Sequence, residues 1–179
     1  VIQYSAHTMS RKCIEQIGAD TVFDKIEKIT GKIPVISFKM TNKGDIYFGK
    51  TEGFDEYCGK DIAVVGTPHS KPLFYKLLAC ELGYIKKNVS YTLNCRRVVR
   101  NGYDFKIMSF ADPDIQNLQL FLIETDLEQA IGRSRVLRKT CTVYVFSNYP
   151  CEQAELIQTE YLPEINDEEE MKCEEIGNT

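Results

Sequence analysis

Residues 128–138 read Glu128-Gln129-Ala130-Ile131-Gly132-Arg133-Ser134-Arg135-Val136-Leu137-Arg138, with a glutamine and three arginines gathered around one glycine ahead of an apolar run. A guanidinium is planar, permanently charged and carries its donors as a fork. It can therefore grip phosphate oxygens and stabilise the charge that develops when a terminal phosphoryl group leaves. Arg133, Arg135 and Arg138 are accordingly the candidate catalytic groups, with Gln129 and Gly132 beside them as nucleotide-contacting residues. The competing reading is a solvated helix face, because arginine is common on surfaces.

Gly44-Asp45-Ile46-Tyr47-Phe48-Gly49-Lys50-Thr51 matches the phosphate-loop pattern G-x-x-x-x-G-K-[ST] letter for letter. Such a loop must turn its amides inward and open a helix at the lysine. Ile46-Tyr47-Phe48 instead favours an extended strand, and Glu52-Gly53-Phe54-Asp55 places two carboxylates and a glycine where the helix would begin. An autonomous nucleotide site at 44–51 is therefore the weaker alternative.

A second basic cluster surrounds Asn101-Gly102. Lys86, Lys87, Arg96, Arg97, Arg100 and Lys106 stand against only Asp104 between residues 86 and 110, with Tyr84, Tyr91, Tyr103 and Phe105 close by. Cations attract a phosphate backbone, and exposed aromatic rings stack on unpaired bases. Arg96, Arg97, Arg100 and Lys106 are thus the candidate nucleic-acid contacts. The alternative is a charged hairpin whose rings pack inward as cross-strand partners.

The elements that must position these groups follow from pattern. Asn-Gly tolerates two positive φ angles and predicts a type I′ hairpin joining strands over 91–99 and 103–110. Residues 34–40 and 61–66 read as buried strands, and 10–30 as helical. Ser70 can cap a helix whose Leu73, Phe74, Leu77, Leu78 and Leu82 form one apolar face before Gly83 ends it. Asp112 and Pro113 supply a cap and a first helical position for a helix running through Phe121 and on to Ile131, with or without a break between them. Thr142–Ser147 reads as the last strand and 151–162 as a closing helix. Apolar strands alternating with helices imply an α/β fold with a mostly parallel sheet covered by helices on both faces, and an inserted antiparallel hairpin.

Residues 128–138 resemble motif VI of superfamily-two helicases of the DEAD/DEAH-like kind. Gly53 and Asp55, ahead of the Ile62–Gly66 run, are similar to motif V, and Val35–Lys39 to motif IV, so the likeness covers about residues 34–150. It implies the C-terminal RecA-like domain of an ATP-dependent DNA helicase or translocase. ATP and Mg2+ would be held mainly by an N-terminal RecA-like domain of the same parent protein, single-stranded or duplex nucleic acid would be the partner, and this chain alone would be inactive. By the same likeness Asp55 accepts a hydrogen bond from a ribose hydroxyl, and Gly53 lines the interdomain cleft; a simple polar turn is the alternative there. We expect the arginines at the carboxy edge of the sheet. The family pattern Q-x-x-G-R-x-x-R is not met in full, since Arg135 comes one residue early and Val136 takes its slot. A one-residue shift on a helix rotates a side chain by about 100°, so which arginine acts as the finger stays open.

Composition bounds the rest. The 179 residues are 43% hydrophobic and 27% charged, ordinary for a globular domain. No apolar run approaches the roughly 18 residues of a membrane span, and no basic-then-apolar leader opens the chain, so a cytoplasmic protein is expected. The start at Val1, in mid-pattern, reads as a piece of a longer protein. Seven cysteines, an odd number without one C-x-x-C pair, argue against both a zinc knuckle and a disulfide framework and read as buried reduced thiols; His7 and His69 lack ligand spacing, so no metal is expected. The net charge of −4 conceals a tail over 164–179 with seven acidic residues against Lys172. The expected organisation is a helical lead-in over 1–30, the RecA-like domain over 31–163 and a mobile acidic tail over 164–179. A non-catalytic module that keeps the fold but binds a partner through hairpin and tail is the alternative from a different class.

Overall fold

The computed structural model describes residues 1–50, 56–84 and 92–163; Gly53, Asp55 and the acidic tail lie outside the described residues. The chain divides into two units, one formed by Val1–His69 with Leu122–Pro163 and the other containing Ser70–Phe121.

The first unit is built on six parallel strands. They are β1 (Ile2–Tyr4), β2 (Val35–Ser37), β3 (Ile46–Tyr47), β4 (Ile62–Val65), β7 (Val143–Phe146) and β8 (Glu155–Ile157), in the spatial order β3-β2-β4-β7-β1-β8. All pairings are parallel. This is the expected α/β class, in a layout consistent with a RecA-like domain. β4 is Ile-Ala-Val-Val with every residue buried, as an interior parallel strand requires.

Residues 1–30 supply the interior strand β1 and the helices α1 (Arg11–Ile17) and α2 (Ala19–Thr30). Ser10 caps α1 by accepting from the Cys13 amide at 3.1 Å. The helix expected over 10–30 is two helices, because Gly18 takes φ +91° and breaks the run. Val22, Phe23 and Ile26 of α2 are buried with Met9, Ile14, Phe38 and Phe146 in the core.

Residues 151–162 do not form the expected closing helix. Glu155–Ile157 is instead a strand paired with β1, so β7 is not the last strand. The reason is tertiary. β1 would otherwise leave an open edge, and the buried Gln3 amide pins the preceding turn by donating to the Ser147 and Tyr149 carbonyls, both at 2.7 Å, and accepting from the Cys151 amide at 3.0 Å.

The second unit holds α3 (Pro72–Glu81) and the antiparallel hairpin of β5 (Asn94–Arg100) and β6 (Tyr103–Ser109). Asn101 and Gly102 adopt φ +51° and +78°, the expected type I′ turn. Asp112 accepts from the Asp114 and Ile115 amides at 3.0 and 3.2 Å, and Pro113 starts α4 (Pro113–Ile131), which runs unbroken into the first unit. Two expectations for α3 fail. Its N-cap is Lys71, because Pro72 occupies the first helical position; the Ser70 amide donates to the Tyr75 hydroxyl at 3.0 Å. Its apolar face is exposed at Leu73 (64%), Phe74 (49%), Leu77 (62%) and Leu82 (49%), whereas Tyr75 and Ala79 are buried. The Tyr75 ring packs edge-on against Phe110 at 5.8 Å, which turns the opposite flank of the helix inward.

Candidate functional site at the amino edge of the sheet

Strands β4 and β7 are neighbours in parallel register, with Ile62 opposite Val143. The segments that lead into them must therefore meet at the amino edge of the sheet. The Gly59 amide donates to the Ser134 carbonyl at 2.8 Å, the Ile62 amide to the Thr142 carbonyl at 3.1 Å, and the Thr142 amide to the Asp61 carboxylate at 2.6 Å. Tyr57–Lys60, which follows the Gly53 and Asp55 segment, thus lies against Gly132–Ser134, and Lys139 passes 3.7 Å from where a Gly59 Cβ would stand. The arginines were expected at the carboxy edge. The order helix, arginines, strand in an all-parallel sheet puts them at the amino edge instead.

The arginine segment is a tight curl. A 3-10 turn over Gly132–Ser134 follows α4, and Arg135 then adopts the left-handed region at φ +54° and ψ +38°. A non-glycine residue there costs about 1–2 kcal/mol. Such strain commonly sits at working sites. The Arg135 carbonyl accepts from the Arg138 and Lys139 amides at 2.8 and 3.0 Å, which holds the curl closed.

Arg135 and Arg138 line a cavity of ≈ 360 Å³ with Glu128, Ile131, Gly132, Val136, Leu137 and Gln153. Arg133 is half-buried, and its Nε is buried without an acceptor among the described residues. Gln129 is exposed, one turn back on α4, and is not among those lining residues. A Cβ on Gly132 would meet nothing within 4 Å, so packing does not demand glycine there; its absence leaves the backbone open to a ligand. Along residues 128–139 the sequence carries Arg133, Arg135, Arg138 and Lys139 against Glu128 alone. The arrangement can hold phosphoryl oxygens against an apolar rim. Among the described residues no group of three or more His, Cys, Asp and Glu side chains could hold a metal ion.

Sequence reasoning missed Gln153, Glu128 and the apolar lining of the cavity. Gln153 follows β7, and only the crossover to β8 brings it near the arginines; no local signal marks it. Burial first, then Glu128 and Glu124, push the nearby Cys151 thiol up to about 12; it is reduced, as are Cys13, Cys58, Cys80 and Cys141, whereas Cys95 is disulfide-bonded, against the expectation of reduced thiols.

The carboxy edge is filled where open α/β sheets ordinarily bind ligands. The chain leaves β2 and β4 in opposite directions, toward β3 and toward β7, and that divergence makes a crevice. Phe38 occupies it, 2% exposed, against Gly66 at φ +131°, with Phe48 beside it at 5.2 Å and the Arg11 guanidinium over its ring at 4.5 Å. Around this edge Thr67 Oγ1 and Ser147 Oγ lie 2.8 Å apart, and Thr67 donates to the Thr8 carbonyl, so these polar groups are satisfied.

Ile46 and Tyr47 of the phosphate-loop pattern form strand β3, and its Thr51 lies outside the described residues. The Asp45 and Phe48 amides donate to the Val35 and Ser37 carbonyls at 2.8 and 3.0 Å, so two of the amides a phosphate cradle needs are spent on β2.

The hairpin divides its basic residues between two faces. Arg97 and Lys106 are directly opposite one another and exposed, with Val99 and Met108 beside them. Asp104 relieves the like-charge pairing by accepting from Arg97 Nε at 2.7 Å. Arg96 and Arg100 lie on the other face with Val98, Phe105 and Ile107, and both are half-buried. Tyr103 at the tip is 44% exposed, but the ring of Phe105 turns inward.

Comparison with models of known protein families, with curated proteins and with solved structures finds no match in any of the three. Among the described residues no helix is long and apolar enough to cross a membrane.

Proposed function

We propose that this chain is the second RecA-like domain of an ATP-dependent helicase or translocase acting on nucleic acid, DNA being the expected substrate. The observation that carries the reading is the Gly59–Ser134 contact. It sets the segment after Gly53 and Asp55 against the arginine curl on one edge of a parallel sheet, with Arg135 and Arg138 over an open cavity. In this reading a first RecA-like domain holds ATP and Mg2+, and docks on the amino edge so that these guanidinium groups meet the terminal phosphates. Gln129 and Gly132 contact the nucleotide alongside, and Arg97 and Lys106 on the hairpin hold the nucleic-acid backbone.

Mixing this chain with the separately produced first domain of its parent protein tests the reading. Restored nucleic-acid-stimulated ATP hydrolysis, absent from either part alone, is expected; two parts that associate and bind ATP but never hydrolyse it would contradict it.

A second reading, a non-catalytic interaction module, is favoured by one observation: the exposed Leu73, Phe74, Leu77 and Leu82 face of α3. It predicts partner binding that survives loss of all three arginines. The autonomous nucleotide site at Gly44–Thr51 has the pairing of β3 with β2 against it.

A further inference from the structure

We propose that the exposed face of α3 is a homodimer seam, on which α3 of a second copy of this chain packs side by side and parallel. The pairing rests on neither reading of the function above; it names an occupant for a face that the ATP-driven reading leaves bare. Spacing is the first argument. Leu73, Leu77 and Cys80 follow one another at intervals of four and three residues, the alternation that keeps one line of side chains turned to a neighbouring helix. All three are exposed, Leu73 at 64% and Leu77 at 62%. Phe74 flanks the line at 49%, and Tyr84, 42% exposed, comes at the next interval of four, just past the helix end. Tyr75 and Ala79 are buried on the opposite flank. α3 thus commits one side to its own unit and offers the other as an apolar seam.

Charge sets the direction of the partner. With Leu77 at an a position of the heptad and Leu73 and Cys80 at d positions, Lys76 and Glu81 fall at g and e, beside the seam. In a parallel pair a g residue lies next to the following e residue of the partner helix. Two Lys76–Glu81 pairs then form across the seam, while leucine meets leucine and Cys80 meets Cys80. An antiparallel pair centred on Leu77 would instead set Leu73 against the Glu81 carboxylate. Area sets the strength. On two copies the exposed parts of Leu73, Phe74, Leu77, Cys80 and Tyr84 amount to on the order of 1,000 Å². That is more apolar surface than a monomer ordinarily leaves in one patch, yet just under the roughly 1,200 Å² at which stable interfaces begin. The dimer should therefore be reversible, with a dissociation constant in the micromolar range.

The full chain of 179 residues is followed by sedimentation equilibrium across the micromolar range with reductant present. In parallel it is treated with oxidised glutathione, and its disulfides are mapped on unreduced peptides. The expected result is a reversible dimer that Leu77→Glu abolishes without changing the far-ultraviolet circular dichroism, since that side chain is 62% exposed. A Cys80–Cys80 link between copies should form on oxidation and be suppressed by the same substitution. Lys76→Glu and Glu81→Lys alone each weaken the dimer about fivefold, and the two combined restore it, which an antiparallel pair would not do. A chain that stays monomeric, or a dimer indifferent to Leu77→Glu, overturns the seam and leaves the face to another protein. A dimer that Leu77→Glu disrupts but that gives no Cys80–Cys80 link, or no rescue by the double exchange, overturns the parallel arrangement. None of these readouts involves ATP or nucleic acid, so their failure and that of the function proposed above are separable.

Discussion

Gly66→Ala should be among the most damaging single-methyl additions in this chain. Gly66 holds φ +131°, and a Cβ built there would stand 2.6 and 2.8 Å from Phe38 Cε2 and Cζ and 3.2 Å from Phe48 Cε2. Phe38 has little room to yield, being 2% exposed, packed on Phe48 and covered by Arg11. Overpacking of this kind costs about 1–3 kcal/mol, and a backbone region nearly restricted to glycine adds about 1–3 kcal/mol. A loss of about 3–4 kcal/mol is a large share of the roughly 5–15 kcal/mol that holds a domain together. At about 2 kcal/mol per molar in urea, the midpoint should fall by roughly 1.5–2 M. Gly59→Ala is the control. Its φ of +75° is also unfavourable, but the nearest atom is Lys139 Cβ at 3.7 Å, so only about 1 kcal/mol is expected. Adding Phe38→Leu to Gly66→Ala should recover part of the loss, because the two sites share one space. A Gly66→Ala midpoint within 0.5 M of the parent, a small fraction of the roughly 1.5–2 M expected, would refute the claim that the carboxy-edge crevice is filled by a tightly held ring.

Three further outcomes follow from the structure. Burial first, and Arg11 second, lower the His69 pKa from 6.5 to about 4. The unfolded chain therefore takes up a proton below about pH 6.5 that the folded chain refuses until about 4, and stability falls with pH across that window by up to about 3 kcal/mol. Urea midpoints at several pH values should show the fall, and His69→Gln should flatten it; burial lowers His7 as well and adds in the same direction. Arg97→Ala with Lys106→Ala should reduce the salt slope of single-strand binding by about 1.4 without altering the thermal midpoint, since both side chains are exposed; an unchanged slope would remove the hairpin from the interface. Lys50→Ala should leave nucleotide affinity of the complete protein unchanged, and a tenfold loss in a fluorescent-ATP titration would revive the loop at 44–51.

How much was legible depended on whether local chemistry or distant contacts decided each feature. Asn101-Gly102 and Asp112-Pro113 carry their conformations in their own side chains and rings, and the hairpin and the start of α4 appear where those residues require. Ile62–Val65 is apolar throughout because it is covered on both faces, and it reads as an interior strand for the same reason. α3 was misleading because its leucines keep helical spacing whichever flank is buried; the Tyr75–Phe110 contact that chooses the flank joins residues 35 apart in sequence. β8 resembles a helix in pattern, yet the open edge of β1 recruits it as a strand. Of the candidate site residues, Arg135, Arg138 and Gly132 line the cavity, Arg133 and Gln129 do not, and Gly53 and Asp55 lie outside the described residues. The left-handed turn that aims Arg135 and Arg138 and the arrival of Gln153 come from packing that no local spacing encodes.

The most direct test of the central claim is steady-state ATP hydrolysis by the complete parent protein carrying Arg135→Ala, Arg138→Ala or both, with nucleotide affinity measured on the same samples. An arginine acting on the departing phosphoryl group should cost about 10³-fold or more in kcat while nucleotide Kd stays within a few-fold. A kcat unchanged by the double substitution, in protein that still folds and binds ATP, would contradict the account.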